Sequence, residues 1–221
     1  KNNEKGYFEN TDIVLLNSMI CASNGENWDC VTGINYNFDN MKSAFFDKAL
    51  NIMKELLENN DSIAIKDPRI CKTLPVWQEV FRFLDMDVKY IYVYRNPMSV
   101  AGSLNKRDGM DINIAEKLWL HYNYRALEYV DNEIYKMNFD ELIENPDKEL
   151  NDLSLYLKNS EFKQRNIVDK KLRHNSIKNK GTYSYINANN FYEKLNSAGP
   201  IMKKAVINSI ILEFNDVINS I

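Results

Sequence analysis

Several things are scarce in this sequence, and each scarcity narrows what the protein can be. No stretch approaches the roughly 18 to 20 consecutive apolar residues of a membrane-spanning helix, and no charged-then-apolar leader opens the chain, so a soluble, cytoplasmic protein is expected. Glycine and proline number only seven and five in 221 residues, which excludes collagen-like and linker-dominated architectures. The three cysteines, Cys21, Cys30 and Cys71, are odd in number and lack the close pairing of a zinc site, so they read as free thiols in a reducing compartment. Basic residues do not outnumber acidic ones: 28 against 31 leaves a formal net charge of -3 and a pI near 5.6. General nucleic-acid binding needs the opposite balance and is not expected.

What remains is an ordinary folding composition, 44% hydrophobic and 27% charged, long enough for one substantial core and read as a single domain over residues 1–221. Internal repeats and low-complexity tracts are absent. Helical spacing is clearest in "DNMKSAFFDKALNIMKELLENN", where Met41, Phe45, Ala49, Met53 and Leu56 recur every three or four residues. "SIAIKD", "VKYIYVY" and "EIYKMNF" are short and rich in β-branched and aromatic residues, as strands are. Helix-like segments separate them. Strand alternating with helix predicts an α/β fold with a doubly wound parallel sheet. "NPDKELNDLSLYLK" opens a further helix with Asn145 as cap and Pro146 at its first position, a last helix is expected near residues 200 to 219, and residues 160 to 198 read as loops or a lid.

In parallel α/β sheets ligands gather where the chain leaves a strand and enters a helix. "YVYRNPMSVAGSL" places Arg95 at such a junction, followed by Asn96 as a capping residue and Pro97 at the first helical position. A helix amino end carries unpartnered N–H groups and attracts anions. Ser99 and Ser103 are one turn apart and share a helix face, so their hydroxyls can donate to an oxygen-rich ligand held by Arg95. The plainer alternative is that Arg95 pairs with a carboxylate and the serines line a solvated face.

"IKDPRICKTLPVWQEVF", "YIYVYRNPMSVAGSL", "LWLHYNYRAL", "MNFDELIENPDKEL" and "VDKKLRHNS" resemble, in that order, successive blocks of the PAPS-dependent sulfotransferases, especially their bacterial branch. PAPS is 3'-phosphoadenosine 5'-phosphosulfate. The likeness covers about residues 5 to 180, and it implies a P-loop-type doubly wound sheet. It also implies that Arg95 and Ser103 grip the 3'-phosphate, with Ser99 as a neighbour. Lys180 and Gly181, in "KNKG", resemble loosely a late basic loop that folds over the same phosphate; seven basic residues face one acid between positions 163 and 180. The family's opening strand and Gly/Ser/Thr/Arg-rich loop for the 5'-phosphosulfate have no counterpart here, so they lie upstream or are missing.

Sulfuryl transfer needs positioning, charge stabilisation and a base for the acceptor's proton, and it needs no metal. Lys66 stands where similar enzymes often have a lysine that neutralises charge on the transferring group. Glu9 and Asp67 are the candidate bases, although Glu9 also suits a first-turn helix charge and Asp67 a turn before Pro68. Arg69 is placed to pair with either or to touch the acceptor. The expected reaction moves a sulfuryl group from PAPS to a hydroxyl of a carbohydrate or small molecule. Two other classes stay open: a non-catalytic nucleotide-binding or scaffold module that has lost the donor loop, and a kinase, for which neither a P-loop lysine nor a Mg²⁺ ligand can be placed.

Overall fold

The computed structural model describes residues 8–31, 38–159 and 183–221. The chain divides into two compact units, residues 1–88 with 125–129, and residues 89–124 with 130–221. Its architecture is mixed α/β, mostly helical, with a small open sheet of three strands among the described residues.

The first unit is built on three helices: α1 (Thr11–Ser23), α2 (Phe38–Leu57) and α3 (Ile70–Phe83). Asn10 starts α1, its side-chain oxygen accepting from the N–H groups of Asp12 and Ile13. Ile13, Leu16, Asn17 and Ile20 then fall on one buried face at helical spacing, so a polar residue sits inside an apolar stripe. On α2 the expected Met41, Ala49 and Met53 are buried, and Phe46 meets Phe83 of α3 edge to face at 5.5 Å. Trp77, Val76 and Val80 of α3 complete the core. One buried ion pair lies beside it. Lys72, fully buried, reaches Glu26 at 3.1 Å and the carbonyl of Cys30 at 3.0 Å, which anchors the turn after α1. Cys21, Cys30 and Cys71 are free thiols; burial pushes Cys21 up to about 11 and Cys71 up to about 12, so both stay protonated and unreactive.

In the second unit, β1 (Tyr90–Tyr94) pairs in parallel with β2 (Ile134–Asn138), Tyr94 facing Asn138 across the ladder. The connection runs through α4 (Pro97–Asp108) and α5 (Ile112–Tyr129), whose last turn belongs to the first unit. Parallel neighbours require a crossover of this length. Gly109, at φ 70°, closes α4 in the left-handed conformation that glycine adopts without strain. After β2 come α6 (Phe139–Glu144), α7 (Pro146–Leu157), α8 (Ile186–Ser197), β3 (Ile201–Met202) and α9 (Lys204–Asn219). Four of the five residues of β2 are buried, as in a strand covered on both faces, and Trp119 of α5, Phe191 of α8 and Phe214 of α9 form an edge-to-face chain. Lys136 of β2 is buried, its ammonium 5.5 Å from the centre of the Tyr94 ring. It donates to the carbonyl of Leu195 in the last turn of α8 and to the Tyr94 hydroxyl, so its charge faces the negative end of that helix.

Three expectations change. "SIAIKD" forms no ladder among the described residues; its side chains alternate between exposed and half-buried, but alternation describes a conformation and a strand also needs a partner. The sheet is not purely parallel, because β3 runs antiparallel to β2, with Ile134 opposite Met202. Part of the span read as loops or lid is α8, whose Ala188, Phe191 and Leu195 are buried at helical spacing behind a run of asparagines. The described strands thus make up a small open α/β sheet in the order β1-β2-β3.

Candidate functional site

The junction after β1 has the local structure its residues dictate. Arg95 follows the last ladder pair, and Asn96 adopts the extended conformation of a cap (φ -52°, ψ 130°). Its side-chain oxygen accepts from the N–H groups of Met98 at 3.0 Å and Ser99 at 3.3 Å, while its carbonyl accepts from Val100 at 3.2 Å. Pro97 has no N–H to offer. The first turn of α4 is thus saturated by its own cap. An anion here would meet the helix dipole and side chains, not a row of open backbone donors. β2 ends the same way, with Asn138 accepting from the N–H of Asp140 at 2.9 Å to start α6.

The guanidinium of Arg95 is held on two sides. Its Nε lies 3.4 and 3.5 Å from the two carboxylate oxygens of Asp140, and its plane carbon sits 4.8 Å from the centre of the Phe139 ring. These separations exceed the roughly 2.7–2.9 Å of a tight charge-assisted bond. The pair is loose and nearly as much cation–π as ionic. Both side chains keep partial exposure, 18% for Arg95 and 17% for Asp140. The Arg95 carbonyl accepts from Trp119 Nε1 at 3.0 Å, which fixes the backbone at the strand end. The plainer alternative, a carboxylate partner for Arg95, is therefore part of the structure.

Ser99 and Ser103 lie one turn apart on α4 but differ in surroundings. Ser103 is exposed, whereas Ser99 is only 6% exposed and its hydroxyl has no hydrogen-bond partner among the described residues. A buried hydroxyl without a partner is uncommon. Lys180 and Gly181 lie outside the described residues.

The residues assigned to chemistry sit in the first unit. Glu9 lies just before the α1 cap rather than in its first turn, and its carboxylate meets Lys66 Nζ at 2.6 Å. The structure thus brings together the candidate base and the candidate charge stabiliser. Asp67 is different. It is buried, and it accepts from Asn17 Nδ2 at 2.9 Å, the Arg69 N–H at 3.0 Å and Arg69 Nη1 at 2.9 Å. Asn17 in turn accepts from Thr73 Oγ1 at 2.7 Å and Trp77 Nε1 at 2.8 Å. With its oxygens occupied and no exposed surface, Asp67 is the turn residue before Pro68 and organises the entry to α3.

Among the described residues there is no group of three His, Cys, Asp or Glu side chains placed to hold a metal ion, and no helix long and apolar enough to cross a membrane. The residues that sequence reading missed are Asn17, a polar group within the apolar stripe of α1, and Asp140, one of two acids in the first turn of α6. The signal for Asn17 is a lone amide at a position whose helical neighbours are hydrophobic; Asp140 carries no such signal.

No protein-family model matches the chain, and no curated protein or solved structure matches it significantly.

Proposed function

We propose that this chain is a sulfotransferase that moves a sulfuryl group from PAPS to a hydroxyl of a carbohydrate or small-molecule acceptor, on a P-loop-type doubly wound fold. One observation carries the reading: a partly exposed arginine at the carboxyl end of a parallel strand, next to an Asn-capped, Pro-led helix whose third residue presents a buried hydroxyl without a partner among the described residues. In this reading Asp140 and Phe139 orient the Arg95 guanidinium for the doubly charged 3'-phosphate, and Ser103 and Ser99 add hydroxyl donors. The resemblance of the surrounding blocks supplies the nucleotide's identity.

The transfer forms a bond from the acceptor oxygen to sulfur as the bond from sulfur to the bridging phosphate oxygen breaks. The electron pair of that bond leaves with adenosine 3',5'-bisphosphate, and the acceptor's proton passes to the Glu9 carboxylate. Lys66 offsets charge that builds on the bridging oxygen. The 2.6 Å pair keeps the acid and the cation together before the donor arrives.

The test is thermal unfolding with adenosine 3',5'-bisphosphate. At 100 times its Kd a ligand adds about 2.7 kcal/mol, which for a chain of this length raises Tm by about 5–10 °C. Arg95→Ala removes the rise. A Tm that does not respond at millimolar bisphosphate rejects the reading. A second reading, a nucleotide-binding module without catalysis, is favoured by one fact: Glu9 and Lys66 neutralise each other while Asp67 is fully engaged. Bisphosphate binding with no sulfuryl transfer from PAPS to any hydroxyl acceptor would select it.

A further inference from the structure

Glu116 of α5 is fully buried and, among the described residues, has no ion-pair partner. One oxygen accepts from the Tyr185 N–H at 2.5 Å, and the other has no hydrogen-bond partner among the described residues. Burial pushes its carboxyl up, and the backbone N–H groups of Tyr185 and Ser184 pull it back. Tyr185 is the residue at which α8 begins, and it provides no side-chain cap of its own. The carboxylate therefore accepts from the N–H of the capping residue itself, as the acid of a capping box does but from a different helix, at an end where the helix dipole favours negative charge.

The grip is wider than one bond. Asn113, three residues before Glu116 on the same face of α5, donates to the Ser184 carbonyl at 2.9 Å, and the Lys117 ammonium stands 5.4 Å from the centre of the Tyr185 ring. The next residue back, Tyr183, accepts from Asn96 Nδ2 at 2.9 Å through its phenol oxygen. Asn96 is the residue that caps α4 beside Arg95. Residues 183–185 are thus bonded at one end to α5 and at the other to the start of α4, with the covalent backbone joining the two.

We infer that Glu116 is a positioning residue: it fastens Ser184 and Tyr185 to α5, and so holds the Tyr183 phenol on the carboxamide that starts α4 next to Arg95. If it only capped α8, the start of α4 would be indifferent to it. Its effect on nucleotide affinity rests on the reading proposed above; its effect on α4 does not.

The experiment compares the parent chain with Glu116→Gln, Tyr183→Phe and the double variant by hydrogen–deuterium exchange and by titration with adenosine 3',5'-bisphosphate. Glu116→Gln keeps an acceptor but loses the charge, so exchange at residues 184–187 and also at Met98 and Ser99 is expected to quicken about three- to tenfold. Tyr183→Phe quickens Met98 and Ser99 alone. The double variant is no faster there than Glu116→Gln, because both act through one path. Each single variant weakens bisphosphate binding about three- to tenfold, again without adding. Faster exchange confined to residues 184–187, or losses that add, would overturn the inference. Should the parent fail to bind bisphosphate while the exchange pattern holds, the sulfotransferase reading falls and the role of Glu116 stands.

Discussion

Replacing Asn17 by leucine tests whether the buried amide holds the first unit together. Leucine is close in size and keeps the apolar stripe of α1, so the effect isolates hydrogen bonding. Three partners are affected unequally. Trp77 Nε1 loses its acceptor at 2.8 Å and is left buried, a cost of about 1–3 kcal/mol. Thr73 keeps a fallback, since its hydroxyl already lies 3.2 Å from the Arg69 carbonyl. Asp67 retains both contacts from Arg69 and loses one donor of three, about 1–2 kcal/mol. Burying the leucine side chain returns about 1–2 kcal/mol. The net loss centres on about 2 kcal/mol, which lowers Tm by about 4–8 °C. Circular dichroism melts of Asn17→Leu, Trp77→Phe and the double variant read it directly. A coupling of about 1 kcal/mol between the two sites is expected. An Asn17→Leu melt within 2 °C of the parent would refute the claim that this amide organises α1, α3 and the Asp67 turn.

Further outcomes follow from other buried groups. Lys72→Met removes the cation 3.1 Å from the buried Glu26 carboxylate and should cost about 3–5 kcal/mol in urea unfolding; adding Glu26→Leu should recover most of it. Burial lowers the pKa of Lys136 below its ordinary value of 10.5. Between its lowered folded value and 10.5 the unfolded chain binds more protons at this site, so its contribution to stability rises with pH in that window and is flat below it. Relative to the parent, Lys136→Met should therefore lose stability as pH rises from 7 to 10, measured by urea melts. Ser99→Ala removes a buried hydroxyl that has no partner among the described residues, so the ligand-free Tm should hold or rise slightly while bisphosphate affinity falls; a fall in both would make the hydroxyl structural.

Local signals in the chain anticipated the junction on which the reading depends. An arginine after a β-branched run, an Asn cap and a Pro at the first helical turn were all visible before any coordinates, because each acts on its immediate neighbours. The spacing of Met41, Ala49 and Met53 likewise foretold α2. What stayed hidden depends on distant partners. Ile63 and Ile65 alternate like a strand, yet pairing is a property of two segments. Phe191 and Leu195 mark a helix, but Asn187, Asn189 and Asn190 have weak helix propensity and masked it until packing was known. The saturation of the α4 amino end is legible in the sequence, since Asn96 is a capping residue and a cap occupies the donors an anion would use. Asp140 as the neighbour of Arg95 follows only from the parallel register that sets Tyr94 beside Asn138.

Asn96 uses both ends of one carboxamide, its oxygen on α4 and its nitrogen on Tyr183. Aspartate could preserve both links by letting the phenol donate instead, and a purely architectural corner would accept that exchange in the course of evolution. A corner that recognises phosphate would not, since the new charge repels the guest. Whether descendants of this gene drift to the acid at position 96 is thus a record, written by natural selection, of what the corner is for.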